Sequence, residues 1–129
     1  MWNNLQYNNS IEMGKYKSKR YFRIWFYTVS HSTLLIRSEK QYSDVDYRIN
    51  YEDPDTTIDL EFSAVDFVSI PKDFDGVEIE RKGTKYIFNN NENWFVQAHS
   101  CVIGKSSWDH NQGVFSDTNL KYDETIELD

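Results

Sequence analysis

The stretch YFRIWFYTVSHSTLLIR, residues 21–37, is the most apolar and aromatic part of this chain, and its reading decides the fold. Phe22, Ile24 and Phe26 alternate along one face of a strand, and Tyr21, Trp25, Tyr27 and Val29 fill the other, with Arg23 the one interruption. A strand apolar on both faces belongs inside a sheet rather than at its edge, with Trp25 in the core. After Ser30-His31-Ser32, the run Thr33-Leu34-Leu35-Ile36 either pairs back across a tight turn or continues the strand beyond a bulge.

Outward from this stretch, the chain keeps the two-residue period of strands. Val45, Tyr47, Ile49 and Tyr51 alternate with Asp44, Asp46, Arg48 and Asn50, which predicts a half-exposed strand ended by Asp53-Pro54-Asp55. Ile58, Leu60 and Phe62 resume the inward positions, with Asp59 and Glu61 outward. A change of phase near Ser63-Ala64 predicts a bulge or sharp bend. Asp73-Phe74-Asp75-Gly76 reads as a turn, Val77–Glu80 as a short strand, Lys82-Gly83 as a turn, and Tyr86-Ile87-Phe88 as the returning strand. Asn89–Asn93 reads as a loop, and Trp94–Ile103 as the last strong strand. No segment holds a helical period over three turns, so the expectation is all-β: a single-domain antiparallel meander, sandwich or strongly bent sheet of seven to nine short strands. The domain spans 1–129, with 1–19 and 105–129 peripheral or loosely ordered; Tyr122, Ile126 and Leu128 support one further edge strand or a short helix.

The chain has 129 residues and a net charge of −7, which argues against a phosphate-backbone binder. The charge is polarised: residues 1–43 carry +5, residues 44–80 carry −10 and residues 81–129 carry −2. Lys15, Lys17, Lys19, Arg20 and Arg23, interleaved with Tyr16, Tyr21 and Phe22, have the composition of a single-strand nucleic-acid groove, but also of a solvated basic strand, which the acidic total favours. The single cysteine, Cys101, cannot form an internal disulfide. No signal-peptide core and no membrane-length apolar run occurs, so a cytoplasmic protein without a membrane partner is expected.

No catalytic constellation stands out. His99 and Cys101 share a strand at i and i+2, and with His31, Asp109 or His110 they have the residue types of a zinc site, yet no paired ligand nucleus is present. The pairs Asp59/Glu61, Asp73/Asp75 and Glu78/Glu80 supply paired carboxylates, which are also what the wet faces of alternating strands contain. The reading is therefore non-enzymatic, without catalytic residues, metal or cofactor.

The block Thr57–Pro71, TIDLEFSAVDFVSIP, resembles part of small all-β bacterial proteins assigned as immunity proteins of polymorphic toxin systems. The resemblance implies a cytoplasmic protein that binds and neutralises a cognate toxin. Together with the acidic middle of the chain it gives the leading expectation, a module that binds a basic protein partner through Asp44, Asp46, Glu52, Asp53, Asp55, Asp59 and Glu61. The alternative is a small-ligand or carbohydrate-binding β-sandwich, because thirteen Tyr and Trp residues, with Trp2, Trp94 and Trp108 uncommitted by pattern, suit sugar platforms as well as protein interfaces.

Overall fold

The structure, a computed structural model, describes residues 9–12, 14–107 and 122–128. Its strands are β1 (Asn9–Glu12), β2 (Lys15–Thr28), β3 (Thr33–Ser38), β4 (Thr57–Ser69), β5 (Asp73–Lys82), β6 (Lys85–Phe88), β7 (Asn91–Ser106) and β8 (Glu124–Glu127). The fold is all-β and every pairing is antiparallel. The order is β1-β2-β3-β4-β7-β6-β5, and β5 pairs back onto β2, so the strands from β2 to β7 close into a barrel. Two three-stranded meanders, β2-β3-β4 and β5-β6-β7, meet along the β4–β7 and β5–β2 seams. The spatial order β5-β2-β3-β4 is a Greek key, and closure satisfies edges that an open sheet would leave bare.

The Tyr21–Arg37 stretch pairs back on itself as β2 and β3, turning through a single 3₁₀ turn at Val29–His31 and a left-handed Ser32. It is interior to the sheet, since β2 bonds β5 on one edge and β3 on the other. It is not apolar on both faces. Phe22 and Phe26 are buried, whereas Tyr21 and Tyr27 are 42% and 43% exposed. Trp25 is half-buried on the outside, where the guanidinium carbons of Arg23 and Arg37 stand 4.9 and 4.7 Å from its ring centroid. The polar hydroxyls and the indole suit a wet outer wall, and the phenyl rings go inward.

The interior is filled from every barrel strand by side chains that include Phe22, Ile36, Leu60, Phe74, Phe88 and Ile103, each burial contributing about 1.5–3 kcal/mol. Phe74 and Phe88 stack at 5.0 Å and Phe62 meets Tyr86 edge-on at 5.3 Å. Ile58, Leu60 and Phe62 point inward, and the phase then changes: Ala64 has φ 52°, and Val65 is the next buried residue. The bend expected at Ser63-Ala64 is thus present, and it lets one long strand follow the barrel's curvature.

Three local expectations are overturned. Residues 44–51 form no strand, because residues 39–56 are an irregular loop held by side chains rather than by a neighbouring strand. Asp73–Gly76 is no turn but part of β5: Gly76, at φ 97°, stands opposite a bulge in β2, where the β2–β5 register slips between Ser18 and Tyr21. Lys15–Lys19, within the lead-in expected to be peripheral, belong to β2 with strictly alternating burial, and Lys105 and Ser106 likewise belong to β7. The Lys82-Gly83 turn is as expected. The Asn-rich loop shrinks to Asn89-Asn90, both at φ 55°, the backbone of a two-residue hairpin turn that asparagine tolerates. The further edge strand near the C-terminus is β8. Trp2, Trp108, Asp109 and His110 lie outside the described residues. Among the described residues, no helix is long and apolar enough to cross a membrane.

Candidate functional site

Alternation along β2 places Arg20 on the inner face between Ser18 and Phe22. On that edge of β2, β1 pairs up to Ser18 and β3 pairs from Arg23, so Arg20 lies at a gap between two partners. Its wholly buried side chain reaches the barrel mouth, where Nε donates to Ser38 Oγ at 2.9 Å and Nη2 to the carbonyls of Thr56 at 2.7 Å and Glu39 at 3.1 Å. Those carbonyls sit where the chain leaves β3 and rejoins β4. Asp53 stands 3.6 Å from the guanidinium and 3.5 Å from Lys105 Nζ, and the Tyr51 ring packs 4.2 Å beneath Arg20. Burial pulls the Arg20 pKa down, with Asp53 and Tyr51 opposing that pull.

Arg20 thereby fastens both ends of the loop 39–56, which is longer than structureless connections usually are and has its own order. Gln41 Nε2 donates to the Ile49 carbonyl at 2.7 Å, and Gln41 Oε1 accepts from the Tyr51 amide at 2.9 Å. The Gln41 amide donates to the Pro54 carbonyl at 2.7 Å, and the Tyr42 amide to the Tyr47 hydroxyl at 3.0 Å. Arg48 clasps Asp75 on β5, and Arg23 on β2 clasps Glu39 at 2.7 Å. The loop roofs a cleft of about 320 Å³ above the outer face of β2, walled by Tyr21, Tyr42, Tyr47 and Tyr51.

A second layer covers the outer face beside it. Arg23, Arg37, Asp59 and Gly104 are successive cross-strand partners on β2, β3, β4 and β7. Arg37 and Asp59 are both fully buried there, under Trp25 and Tyr122. The Tyr122 hydroxyl lies 3.1 Å from Asp59 Oδ2 and 3.3 Å from Glu61 Oε1, its proton shared between two carboxylates. The Tyr122 ring occupies the space above Gly104 that any Cβ would fill. Glu61 titrates above its ordinary value, first because burial penalises its charge and then because Asp59 repels it, against the Tyr122 hydrogen bond.

The acidic set read from the sequence therefore divides. Asp44, Asp46, Glu52 and Asp55 are exposed on the loop. Asp59 is removed from the surface by its Arg37 pair, Asp53 is half-buried between Arg20 and Lys105, and Glu61 is half-buried under Tyr122. Alternation aimed Asp59 and Glu61 outward but could not show that the outer face is covered over them. Val45 and Ile49, read as alternating positions of a half-exposed strand, are 48% and 41% exposed on the loop.

The other constellations separate. His31 is exposed at the 3₁₀ turn, with its carbonyl accepting from Thr33 Oγ1 at 3.1 Å; His99 is exposed on β7; Cys101 is buried opposite Phe62. Burial pushes the Cys101 thiol well above its ordinary pKa. β7 neighbours β4 and β6 rather than β2 or β3, so the histidines do not converge. Among the described residues, no group of three or more His, Cys, Asp or Glu side chains could hold a metal ion. Glu78 and Glu80 face Lys17 and Lys15 across the β2–β5 seam, and Asp73 accepts from the Tyr21 hydroxyl at 2.9 Å. The basic run of β2 is thus the complement of the acidic face of β5. Sequence reasoning missed Arg20 and Gln41 as the organisers of the site; the alternation that puts Tyr16, Ser18, Arg20 and Phe22 on one face was the signal that could have placed Arg20 inward.

No protein-family model matches this chain, and neither does any curated protein or solved structure.

Proposed function

We propose that this protein is a non-enzymatic protein-binding module, an immunity-like inhibitor that engages a basic toxin partner in the bacterial cytoplasm through the outward side of the loop 39–56. The observation that carries this reading is a long irregular loop held in one conformation by Arg20 and Gln41 while its outward residues stay in solvent. Exposed Val45 and Ile49 supply apolar contact, and Asp44, Asp46, Glu52 and Asp55 surround them in sequence with negative charge. A loop ordered before binding loses little entropy on association, and a carboxylate rim accelerates encounter with a cationic surface while repelling nucleic acid. The block that carries the resemblance, Thr57–Pro71, is β4 and its exit, so it supplies the scaffold immediately after the loop.

The test is a charge reversal, Asp44→Lys/Asp46→Lys/Glu52→Lys/Asp55→Lys, compared with the unaltered protein as bait in its native organism. A basic partner should be retained by the unaltered protein and lost by the variant, and the association rate measured with that partner at low salt should fall about tenfold or more. An equal association rate, or capture of the same partner by both, contradicts the reading.

A further inference from the structure

The inward side of the same loop has a different chemistry. The cleft it roofs, about 320 Å³, is walled by tyrosine rings and bounded by the Arg48–Asp75 and Arg23–Glu39 clasps. That volume lies at the lower end of ligand pockets, which run from about 300 to 1,000 Å³.

We infer that this cleft binds a neutral polyhydroxylated ligand, a mono- or disaccharide. The charge balance selects the class. Arg23, Arg37, Lys40 and Arg48 line the cleft, while Glu39 and Asp75 line it with them and Asp59 and Asp73 bond to Arg37 and Tyr21 in its wall. Four cations meet four carboxylates, so no net field draws in a free anion or a free cation. What remains is a set of fixed, planar donors and acceptors. Among the described residues, Arg48 bonds Asp75 through Nη2 alone and Arg23 bonds Glu39 through Nη2 alone, which leaves the Nε and Nη1 donors of both for a ligand. A guanidinium held flat by a carboxylate presents paired N–H groups at the spacing of neighbouring hydroxyls. Tyrosine faces complement the C–H faces of a sugar ring, and their hydroxyls add polar contacts at the rim. An apolar ligand would cover these donors without bonding them, and a phosphate would meet Glu39 and Asp75 at either end.

Both clasps are exposed ion pairs, each contributing about 0–1 kcal/mol, so they can yield to an incoming hydroxyl without loss of the fold. The inference does not require protein binding, because it rests on the cleft's own lining; of the loop residues proposed for the partner, Ile49 also borders the cleft.

The experiment is an amide and side-chain NMR titration of the isolated protein with D-glucose, D-galactose, D-mannose, N-acetylglucosamine and their disaccharides, alongside AMP and inorganic phosphate. At least one neutral sugar should give saturable shifts at Tyr21, Tyr47, Arg48 and Tyr51, with AMP and phosphate silent at equal concentration. Arg48→Gln and Tyr21→Leu should each weaken that binding about tenfold while keeping the dispersed spectrum of the folded barrel. Phe67→Ser, exposed on β4 away from the cleft, should leave it unchanged. Silence across the neutral sugars, shifts that persist in Arg48→Gln, or a response to AMP or phosphate alone would overturn the assignment.

Discussion

Arg37 on β3 and Asp59 on β4 join through two parallel hydrogen bonds, Nε to Oδ1 at 2.7 Å and Nη2 to Oδ2 at 2.9 Å, with neither side chain in contact with solvent. Removing one partner leaves a buried charge without compensation, which costs about 3–5 kcal/mol, whereas replacing both by apolar groups is often neutral. Asp59→Asn should therefore shift the urea midpoint strongly downward, and Arg37→Met/Asp59→Leu should recover most of the loss. Equal destabilisation by the single and double variants would show that the pair is not coupled.

Glu61 gives the acid response a sign. Its folded pKa lies above the ordinary 4.5 because burial and the Asp59 charge disfavour ionisation, with the Tyr122 hydroxyl opposing them. The folded state then holds this proton more tightly than the unfolded chain. Its contribution to stability grows as pH falls through the raised folded value toward about 4.5, and is lost as pH rises through it. Glu61→Gln should flatten this part of the stability–pH profile and raise the neutral-pH melting temperature. A profile identical to the parent's between neutrality and that point would assign the slope elsewhere.

Arg20 fastens the loop at both ends, so Arg20→Met should cost at least about 2 kcal/mol by stranding the buried Ser38 hydroxyl and the carbonyls of Glu39 and Thr56. The loss has a location. Hydrogen exchange should accelerate at the amides of Gln41, Tyr42 and Tyr51 well before those of β4 and β7, and a uniform acceleration would mean that Arg20 supports the barrel rather than the loop.

Gly104 is required by Tyr122. A Cβ at this position would overlap the tyrosine ring, so Gly104→Ala should displace the segment from Tyr122 to β8 and cost about 1–3 kcal/mol. In Gly104→Ala/Tyr122→Ala the overlap is gone, and the double variant should be more stable than the sum of the single losses implies. Strict additivity would place Tyr122 elsewhere.

Much of the barrel was legible in residues taken singly. Alternation in Ile58–Phe62 placed the inward side chains, and the phase change at Ser63-Ala64 marked the bend, because a period of two reports directly on which face meets the core. The same signal failed at Val45–Tyr51. An alternating stretch becomes a strand only where a neighbouring edge accepts its hydrogen bonds, and here the Gln41 side chain bonds the Ile49 carbonyl and the Tyr51 amide instead. Gly76 failed in the opposite sense, since positive φ fits a strand opposite a bulge as readily as a turn, and pairing on both sides with β2 decided between them.

The sequence by itself determined the class: all-β and antiparallel, with an acidic middle segment. Each of these depends on local period, composition or charge. Only the tertiary structure decided that β5 closes onto β2, that Asp59 is buried while Asp55 is not, and that Tyr21 joins Tyr42, Tyr47 and Tyr51 in walling one cleft. Closure and covering are long-range facts. Whether a residue facing outward meets water or another layer depends on what the chain later lays over it, and no local pattern records that.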